Sequence, residues 1–258
     1  MSLPGQLQGL IAAAKENAAG RVPGSRTAEK EPEMSLLDLL SRLEDRRIAA
    51  YLWLAIEYGY NLVVISEDQD ASRRFVGALG AFVPKDVVIQ DEMQIKNIPE
   101  RVVCKQNLKE IDQIFSAAKY GTSFIIQITS GKESVVKNLL SKGVKKESVK
   151  ALDVSILLEN GKISAITEYR WLDRSEVGRS DGMLKRFRNI AIVRKCVFDT
   201  GCIRNSKLIE RYSKSLLVGV NEAAKEIYRR AEFLESVAKG KTTKIGDYYN
   251  IAATSERA

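Results

Sequence analysis

Short apolar runs of strand length alternate with helical patterns from residue 62 onward. The runs lie at residues 62–65, 87–89, 101–104, 124–128 and 154–158, and turn residues bound each of them. Segments with apolar residues at helical spacing separate most of these runs, at residues 72–82, 108–120, 133–141 and 146–151. Strands that alternate with helices of this length predict an α/β fold with a mostly parallel sheet flanked by helices.

The second half of the chain predicts a change of strand direction and a helical end. Asn160-Gly161 lies between the run at 154–158 and a second run at 163–169, which predicts a two-residue hairpin and an antiparallel edge. A further strand is expected at 189–198. Two helices are expected to follow, at 206–217 and 220–239.

The chain before the sheet contains two kinds of segment. Residues 3–18 predict a short amphipathic helix that either packs on its own domain or docks onto a partner, and residues 20–33 read as a flexible tether rich in Pro, Gly, Ser and charge. Ser35 with Asp38 predicts a capping box at the start of the next helix. We therefore predict an amphipathic helix and tether at 1–34, an α/β core at 35–172 and a C-terminal strand and helical extension at 173–258.

Composition adds a positive charge to this picture. The 258 residues are 45% apolar, enough for a substantial core, and 41 Lys and Arg against 33 Asp and Glu give a formal net charge of +8. Such an excess favours attraction to polyanions such as nucleic acid, the ribosome or an anionic membrane. A mixed, solvated surface is the alternative interpretation.

Residue usage excludes several chemistries. The chain has no histidine, which excludes Ser-His and Cys-His catalysis and removes the commonest metal ligand. Cys104, Cys196 and Cys202 have no C-x-x-C spacing, so neither a zinc site nor a disulfide framework is indicated. We expect no metal and no cofactor. With no apolar stretch of membrane-spanning length and no leader pattern, a cytoplasmic protein is expected.

Residues 62–79 run from an apolar strand through a tight turn into a helix, the layout of a phosphate-binding loop. A true loop of this kind has glycines whose N–H groups surround the phosphates and a lysine that neutralises their charge. Here the turn carries Glu67, Asp68 and Asp70 instead. Carboxylates at this place oppose the binding of a phosphate.

The segments on either side of this loop resemble a known family. Residues 48–64 and 78–86 are similar to the sequences before and after the Walker A loop in archaeal type II/IV secretion ATPases, which drive pili and archaella. The resemblance is to their C-terminal motor domain and implies a RecA-like, P-loop-type fold. On this alignment the loop glycines correspond to Ser66, Gln69 and Ala71, the phosphate lysine to Ser72, and the magnesium-binding hydroxyl residue to Arg73.

The same resemblance places amides at the other catalytic positions. The family's acidic box is matched by Gln90, Asp91 and Gln94. Gln106 stands where the Walker B glutamate would be, and Gln127 stands where the family has a histidine. Only residues 95–99 remain of the arm that carries arginines in the family. An amide cannot take a proton from an attacking water, so the resemblance implies a pseudo-ATPase with a degenerate nucleotide site.

Three functions follow from these observations. The first is a catalytically inactive protein that acts as a binding, scaffold or regulatory component of a larger complex and can self-associate. The second is a nucleic-acid- or ribosome-binding protein on the same fold, for which the candidate residues are Lys185, Arg186, Phe187, Arg188, Arg194 and Lys195. Two further basic clusters comprise Lys142, Lys145, Lys146 and Lys150, and Lys239, Lys241 and Lys244. A nucleotide-binding enzyme with an atypical loop is the third and ranks last.

Overall fold

The structure is a computed structural model. It describes residues 35–43, 45–85, 87–90, 100–104, 111–131, 135–170, 188–189, 205–240 and 248. All of them belong to the unit formed by residues 33–258. The helix and tether predicted at 1–34 lie outside the described residues, and the predicted domain boundaries stay predictions.

The described strands form one mostly parallel sheet. They are β1 (Leu62–Ser66), β2 (Ile89–Gln90), β3 (Arg101–Cys104), β4 (Ser123–Thr129), β5 (Val154–Glu159), β6 (Lys162–Arg170) and β7 (Arg188–Asn189). Their order is β2-β3-β4-β1-β5-β6-β7. Neighbours from β2 to β5 are parallel, whereas β6 is antiparallel to β5 and β7 to β6. The predicted α/β sheet with an antiparallel edge is confirmed.

The described helices connect and follow these strands. They are α1 (Leu36–Arg42), α2 (Arg46–Glu57), α3 (Gln69–Leu79), α4 (Ile111–Ala117), α5 (Val135–Ser141), α6 (Lys146–Val149), α7 (Lys207–Leu216) and α8 (Val220–Ala238). The capping box at Ser35 and Asp38 is present at the start of α1. Short 3₁₀ turns, Gly80–Phe82 and Ala118–Tyr120, extend α3 and α4.

Helices cover both faces of the central strands, which explains their unbroken apolar sequences. Val64 and Ile125 point to one side and pack with α2, α3 and α8; we call this side the α3 face. Val63 and Ile126 point to the other side and pack with α4, α5 and α6; we call it the α5 face. All five residues of β1 are buried.

The C-terminal helix α8 shares the core of the α3 face through a buried arginine. The Arg230 side chain pairs with Glu226 at 2.8 Å and with Glu57 at 2.6 Å, and it lies 4.5 Å from the centre of the Trp53 ring. Burial lowers the pKa of Arg230, but the two carboxylates outweigh burial and hold that pKa above its ordinary value. The Arg230–Glu57 ion pair therefore joins α8 to α2 as a charged contact within an apolar layer.

A buried carboxylate holds the start of α7. Glu168 on β6 is fully buried. Its two oxygens accept hydrogen bonds from the backbone N–H groups of Lys207 and Leu208 at 2.8 and 2.9 Å, and from the hydroxyls of Ser206 and Tyr51 at 3.0 and 3.2 Å. The Glu168 carboxylate thus accepts hydrogen bonds from backbone N–H groups at the start of α7 that have no acceptor within the helix.

Several predicted boundaries differ from the structure. The helix expected to begin at residue 72 begins at Gln69, because Asp68 caps it. The strand expected at 87–89 comprises Ile89–Gln90. The hairpin at Asn160 and Gly161 is confirmed, with φ of 52° and 71° at the two residues. Of the strand expected at 189–198, the structure describes Asn189, the last residue of β7, and the other residues lie outside the described chain.

Candidate functional site

A cleft lies where the chain leaves two neighbouring parallel strands in opposite directions. After β1 the chain enters α3 on the α3 face, and after β4 it enters α5 on the α5 face. Such a switch opens a crevice at the carboxyl ends of the strands, the usual ligand position in open α/β sheets. The cleft has a volume of about 380 Å³. Its lining residues are Ser66, Glu67, Asp68, Ser130, Gly131, Leu157, Leu158, Glu159 and Asn160.

The turn between β1 and α3 is closed by its own side chains. The Ser66 hydroxyl accepts a hydrogen bond from the Asp68 backbone N–H at 3.1 Å. One carboxylate oxygen of Asp68 accepts from the backbone N–H groups of Asp70 and Ala71, at 2.9 and 3.0 Å. These amides belong to the first turn of α3, where a phosphate would bind. An internal carboxylate therefore occupies the anion position of the helix.

The opposite wall of the cleft is the turn after β4. The Ser130 backbone N–H donates to the Ser66 carbonyl at 3.0 Å, and the Asn138 side-chain amide donates to the Ser130 hydroxyl at 2.6 Å. A methyl group on Gly131 would come within 3.0 Å of a carboxylate oxygen of Glu67. The Glu67 side chain thus reaches from the β1 turn to the β4 turn.

The cleft is acidic. Glu67, Asp68 and Glu159 line it, and among the residues that the structure describes no lining residue is basic. Two unit charges about 5 Å apart interact by roughly 3 kcal/mol at an effective dielectric constant of about 20. Arg73 on α3 pairs with Asp70 at 3.1 Å, and a guanidinium nitrogen of Arg42 lies 3.6 Å from the place that a Cβ on Gly161 would take, next to Asn160. The electrostatics of the cleft therefore oppose a polyphosphate.

Two residues of the predicted nucleotide site, Ser72 and Gln127, meet inside the protein. Ser72 at the lysine position and Gln127 at the histidine position are 0% and 1% exposed, and the Ser72 hydroxyl lies 2.7 Å from the Gln127 carbonyl oxygen. The same hydroxyl is 2.9 Å from the Gln69 carbonyl, so its single proton serves one acceptor at a time. The Gln127 amide nitrogen is buried and has no hydrogen-bond partner among the residues that the structure describes. Residue 72 therefore faces the sheet.

The structure also places the other residues predicted from the sequence. Ser66 is buried at the end of β1, Gln69 is exposed at the start of α3, and Ala71 is buried beside it. The residues outside the described chain are Asp91, Gln106, Lys185, Arg186, Phe187, Arg194 and Lys195. The backbone of Arg188 pairs with that of Arg170 in β7, and its side chain is outside the description.

Sequence reasoning missed the half of the cleft that comes from the later strands. Ser130 and Gly131 follow β4 directly, Glu159 ends β5, and Asn160 follows it in the turn. The rule that carboxyl ends of parallel strands meet at one edge of a sheet would have found them, because both turns were already placed in the sequence.

Within the described residues, no group of three or more Cys, Asp and Glu side chains is arranged to hold a metal ion. In the same part of the chain, no helix is long and apolar enough to cross a membrane. Comparison with models of known protein families gives no match, and comparison with curated protein sequences gives none either.

Proposed function

We propose that this chain is a catalytically inactive relative of the secretion ATPases that acts as a binding, scaffold or regulatory component of a larger complex. The observation that carries the proposal is the Asp68 carboxylate on the amides of Asp70 and Ala71. A phosphate would have to displace this internal anion and then face Glu67 without a lysine.

The sheet supports a RecA-like origin. β1 lies between β4 and β5 and leads through a tight turn into α3, as the strand before a phosphate loop does. The order β5-β1-β4-β3-β2, all parallel, is the order expected for a RecA-like core. The resemblance of residues 48–64 and 78–86 to the secretion ATPases agrees with this arrangement.

The buried pair of Ser72 and Gln127 supports the loss of catalysis. A side chain at position 72 that is fully buried against β4 cannot reach a ligand in the cleft. Without the lysine, the chain lacks an electrostatic stabilisation of the transition state that is worth orders of magnitude in the rate of hydrolysis. What selection retains is then the folded scaffold and its surfaces, including surfaces for self-association.

Calorimetric titration of the full chain with Mg-ATP tests the inactive site. We expect no binding up to millimolar ATP and no hydrolysis, because the cleft repels phosphate. Micromolar binding or steady turnover would refute the proposal.

A matched pair of variants tests whether the Asp68 carboxylate blocks the anion position at the start of α3. Asp68→Ala and Asp68→Asn remove the same charge, but Asp68→Ala alone frees the two amides at the start of α3, because the Asn side-chain oxygen can still accept from them. We expect inorganic phosphate to raise the melting temperature of Asp68→Ala more than that of Asp68→Asn. Equal shifts would show that the amides are not the blocked anion position.

Capture of complexes from the native cell extract on the immobilised full chain tests the binding role. We expect a defined protein partner that remains after nuclease treatment and is present at a constant ratio to the chain. Loss of all bound material on nuclease treatment would contradict a protein scaffold and would favour nucleic acid as the main ligand.

A further inference from the structure

We propose that helices α2 and α8 form a pocket for one tyrosine side chain, which Tyr248 of the same chain occupies and which Tyr248 of a second copy occupies when the chain self-associates. The pocket residues are Trp53, Glu226, Arg230 and Phe233. The inference gives a site to the self-association in the proposed function and rests on that part of it alone. It does not depend on the loss of ATP hydrolysis.

The pocket contacts both the ring and the hydroxyl of Tyr248. The ring centre lies 5.1 Å from that of Trp53 and 5.3 Å from that of Phe233, in edge-to-face geometry with angles of 68° and 70°. The Arg230 guanidinium lies 5.3 Å from the same ring centre. The Tyr248 hydroxyl donates to a carboxylate oxygen of Glu226 at 2.8 Å. Burial of the ring and the Glu226 carboxylate raise the pKa of this hydroxyl, so it remains a donor at neutral pH.

The pocket is held in place by contacts that do not involve its occupant. The Arg230 guanidinium pairs with Glu57 of α2 at 2.6 Å and with Glu226 at 2.8 Å, so both charged groups of the pocket have fixed positions. Phe82 stacks on Trp53, with the ring centres 5.9 Å apart and the planes at 9°. The pocket should therefore keep its shape when the tyrosine leaves, and a preorganised site of this kind is available to another tyrosine.

The occupant comes from beyond the end of α8. This helix ends at Ala238, and Gly240 has a φ of 70°, a left-handed conformation that ends a helix and turns the chain. Arg230 lies roughly three helical turns before Gly240, so the chain that leads to Tyr248 has to return about 15 Å along α8. From Gly240 to Tyr248 the chain reaches at most about 27 Å. Tyr248 therefore reaches its own pocket, but a shorter connection would prevent this.

A second copy supplies a tyrosine that makes the same contacts. Because every copy carries both the pocket and Tyr248, exchange of the tyrosines between two copies replaces each contact by an identical one. The balance between the two states then depends on protein concentration and on the length of residues 241–247. A short connection gives the chain's own tyrosine an effective concentration of the order of millimolar, so a dilute chain favours its own tyrosine. Shortening the connection should favour the second copy.

Phenol binding to Tyr248→Ala tests the pocket, because this substitution removes one phenol ring from it. We expect phenol at roughly ten times its dissociation constant to raise the melting temperature of Tyr248→Ala by about 3–6 °C. Benzene cannot donate to Glu226 and should raise it less. Neither ligand should stabilise the wild-type chain, whose pocket is filled, or the control Tyr120→Ala, which removes a side chain that is 77% exposed. The pocket is refuted by no shift with phenol, by an equal shift in Tyr120→Ala, or by a shift with benzene that matches the one with phenol.

Deletion of residues 242–246 tests the exchange, with size-exclusion chromatography and light scattering as the measurement. The connection that remains, Lys241 and Asp247, reaches about 10 Å, less than the roughly 15 Å to the chain's own pocket. We expect the shortened chain to be a dimer and its Tyr248→Ala version to be a monomer. The matched control replaces residues 242–246 by a Gly-Ser segment of the same length. We expect this control to remain a monomer at micromolar concentration, as we expect of the wild-type chain.

Three results overturn the exchange. They are a monomeric shortened chain, a dimer that persists after Tyr248→Ala, and a shortened chain that circular dichroism shows to be unfolded, since the pocket is held by its own contacts. Each of these results leaves the capture of a protein partner from cell extract as a separate test of the scaffold role.

Discussion

A lysine introduced at residue 72 should damage the fold and should not create a phosphate site. Ser72 is fully buried between α3 and β4, with its hydroxyl on Gln127. A lysine at this position has to place its ammonium group where water is excluded. The group then either remains charged without a partner or loses its proton, and both cost free energy.

The size of the loss follows from the pKa of lysine. A free lysine has a pKa of about 10.4, and buried lysines in apolar sites fall to about 5–6. At about pH 7 a lysine in water is roughly 3.4 pH units below its pKa, and removing its proton costs about 1.4 kcal/mol per pH unit. Burying the amine in the neutral form therefore costs about 5 kcal/mol. Most single domains have a total stability of about 5–15 kcal/mol, so Ser72→Lys should be severely destabilised.

Urea unfolding followed by circular dichroism measures this loss, with Ser72→Met as the control for size and Ser72→Ala as the control for the hydrogen bond. Ser72→Ala should cost about 1 kcal/mol. Since the folded-state pKa of the new lysine is lowered, the unfolded chain binds more protons between the two pKa values, and stability rises with pH. The gap between Ser72→Lys and Ser72→Met should thus shrink by about 1.4 kcal/mol per pH unit and close near pH 10.

A gap below about 1 kcal/mol that does not change with pH would refute the burial of residue 72. Micromolar binding of Mg-ATP by Ser72→Lys would go further, since it would show that the loop retains the geometry of a working phosphate site.

Three other substitutions test separate parts of the structure by the same unfolding measurement. Glu168→Gln turns an amide N–H toward the Lys207 N–H, so we expect a loss of about 2–4 kcal/mol, whereas exposed Glu232→Gln should change stability by less than about 0.5 kcal/mol. Arg101 is buried, two of its nitrogens have no hydrogen-bond partner within the described part of the chain, and burial lowers its pKa to about 10. Arg101→Met should therefore raise stability at neutral pH by about 1 kcal/mol or more, and a loss would show that the guanidinium is paired. Gly161→Ala should cost about 1 kcal/mol because φ is 71° while the added methyl group has room; no change would contradict backbone strain.

Much of the fold could be predicted because its elements have local signals. The strand at Arg101–Cys104 has the predicted bounds, and the hairpin follows from Asn160-Gly161 alone. The start of α3 was missed by three residues because the Asp68 side chain, and not the apolar periodicity, decides where the helix begins.

The candidate site was predicted in part, because only one of its two walls has a local signal in the sequence. The turn with Glu67 and Asp68 is one continuous segment, so its chemistry is readable from the residue types. The opposite wall, with Ser130 and Gly131, comes from a strand that the sequence separates from β1 by two other strands. Its position depends on strand order, which periodicity does not encode. The roles assigned to Asp91 and Gln106 stay predictions.

The sequence by itself determined the alternation of strands and helices, the acidic turn after β1 and the absence of histidine, because each depends on residue types and on spacing along one segment. Only the tertiary structure decided that Ser72 meets Gln127 across 55 residues and that Ser130 and Gly131 line one cleft with Glu67 and Asp68. Sheet register and the side on which each helix crosses bring such residues together, and those are set by packing between segments that are distant in the chain.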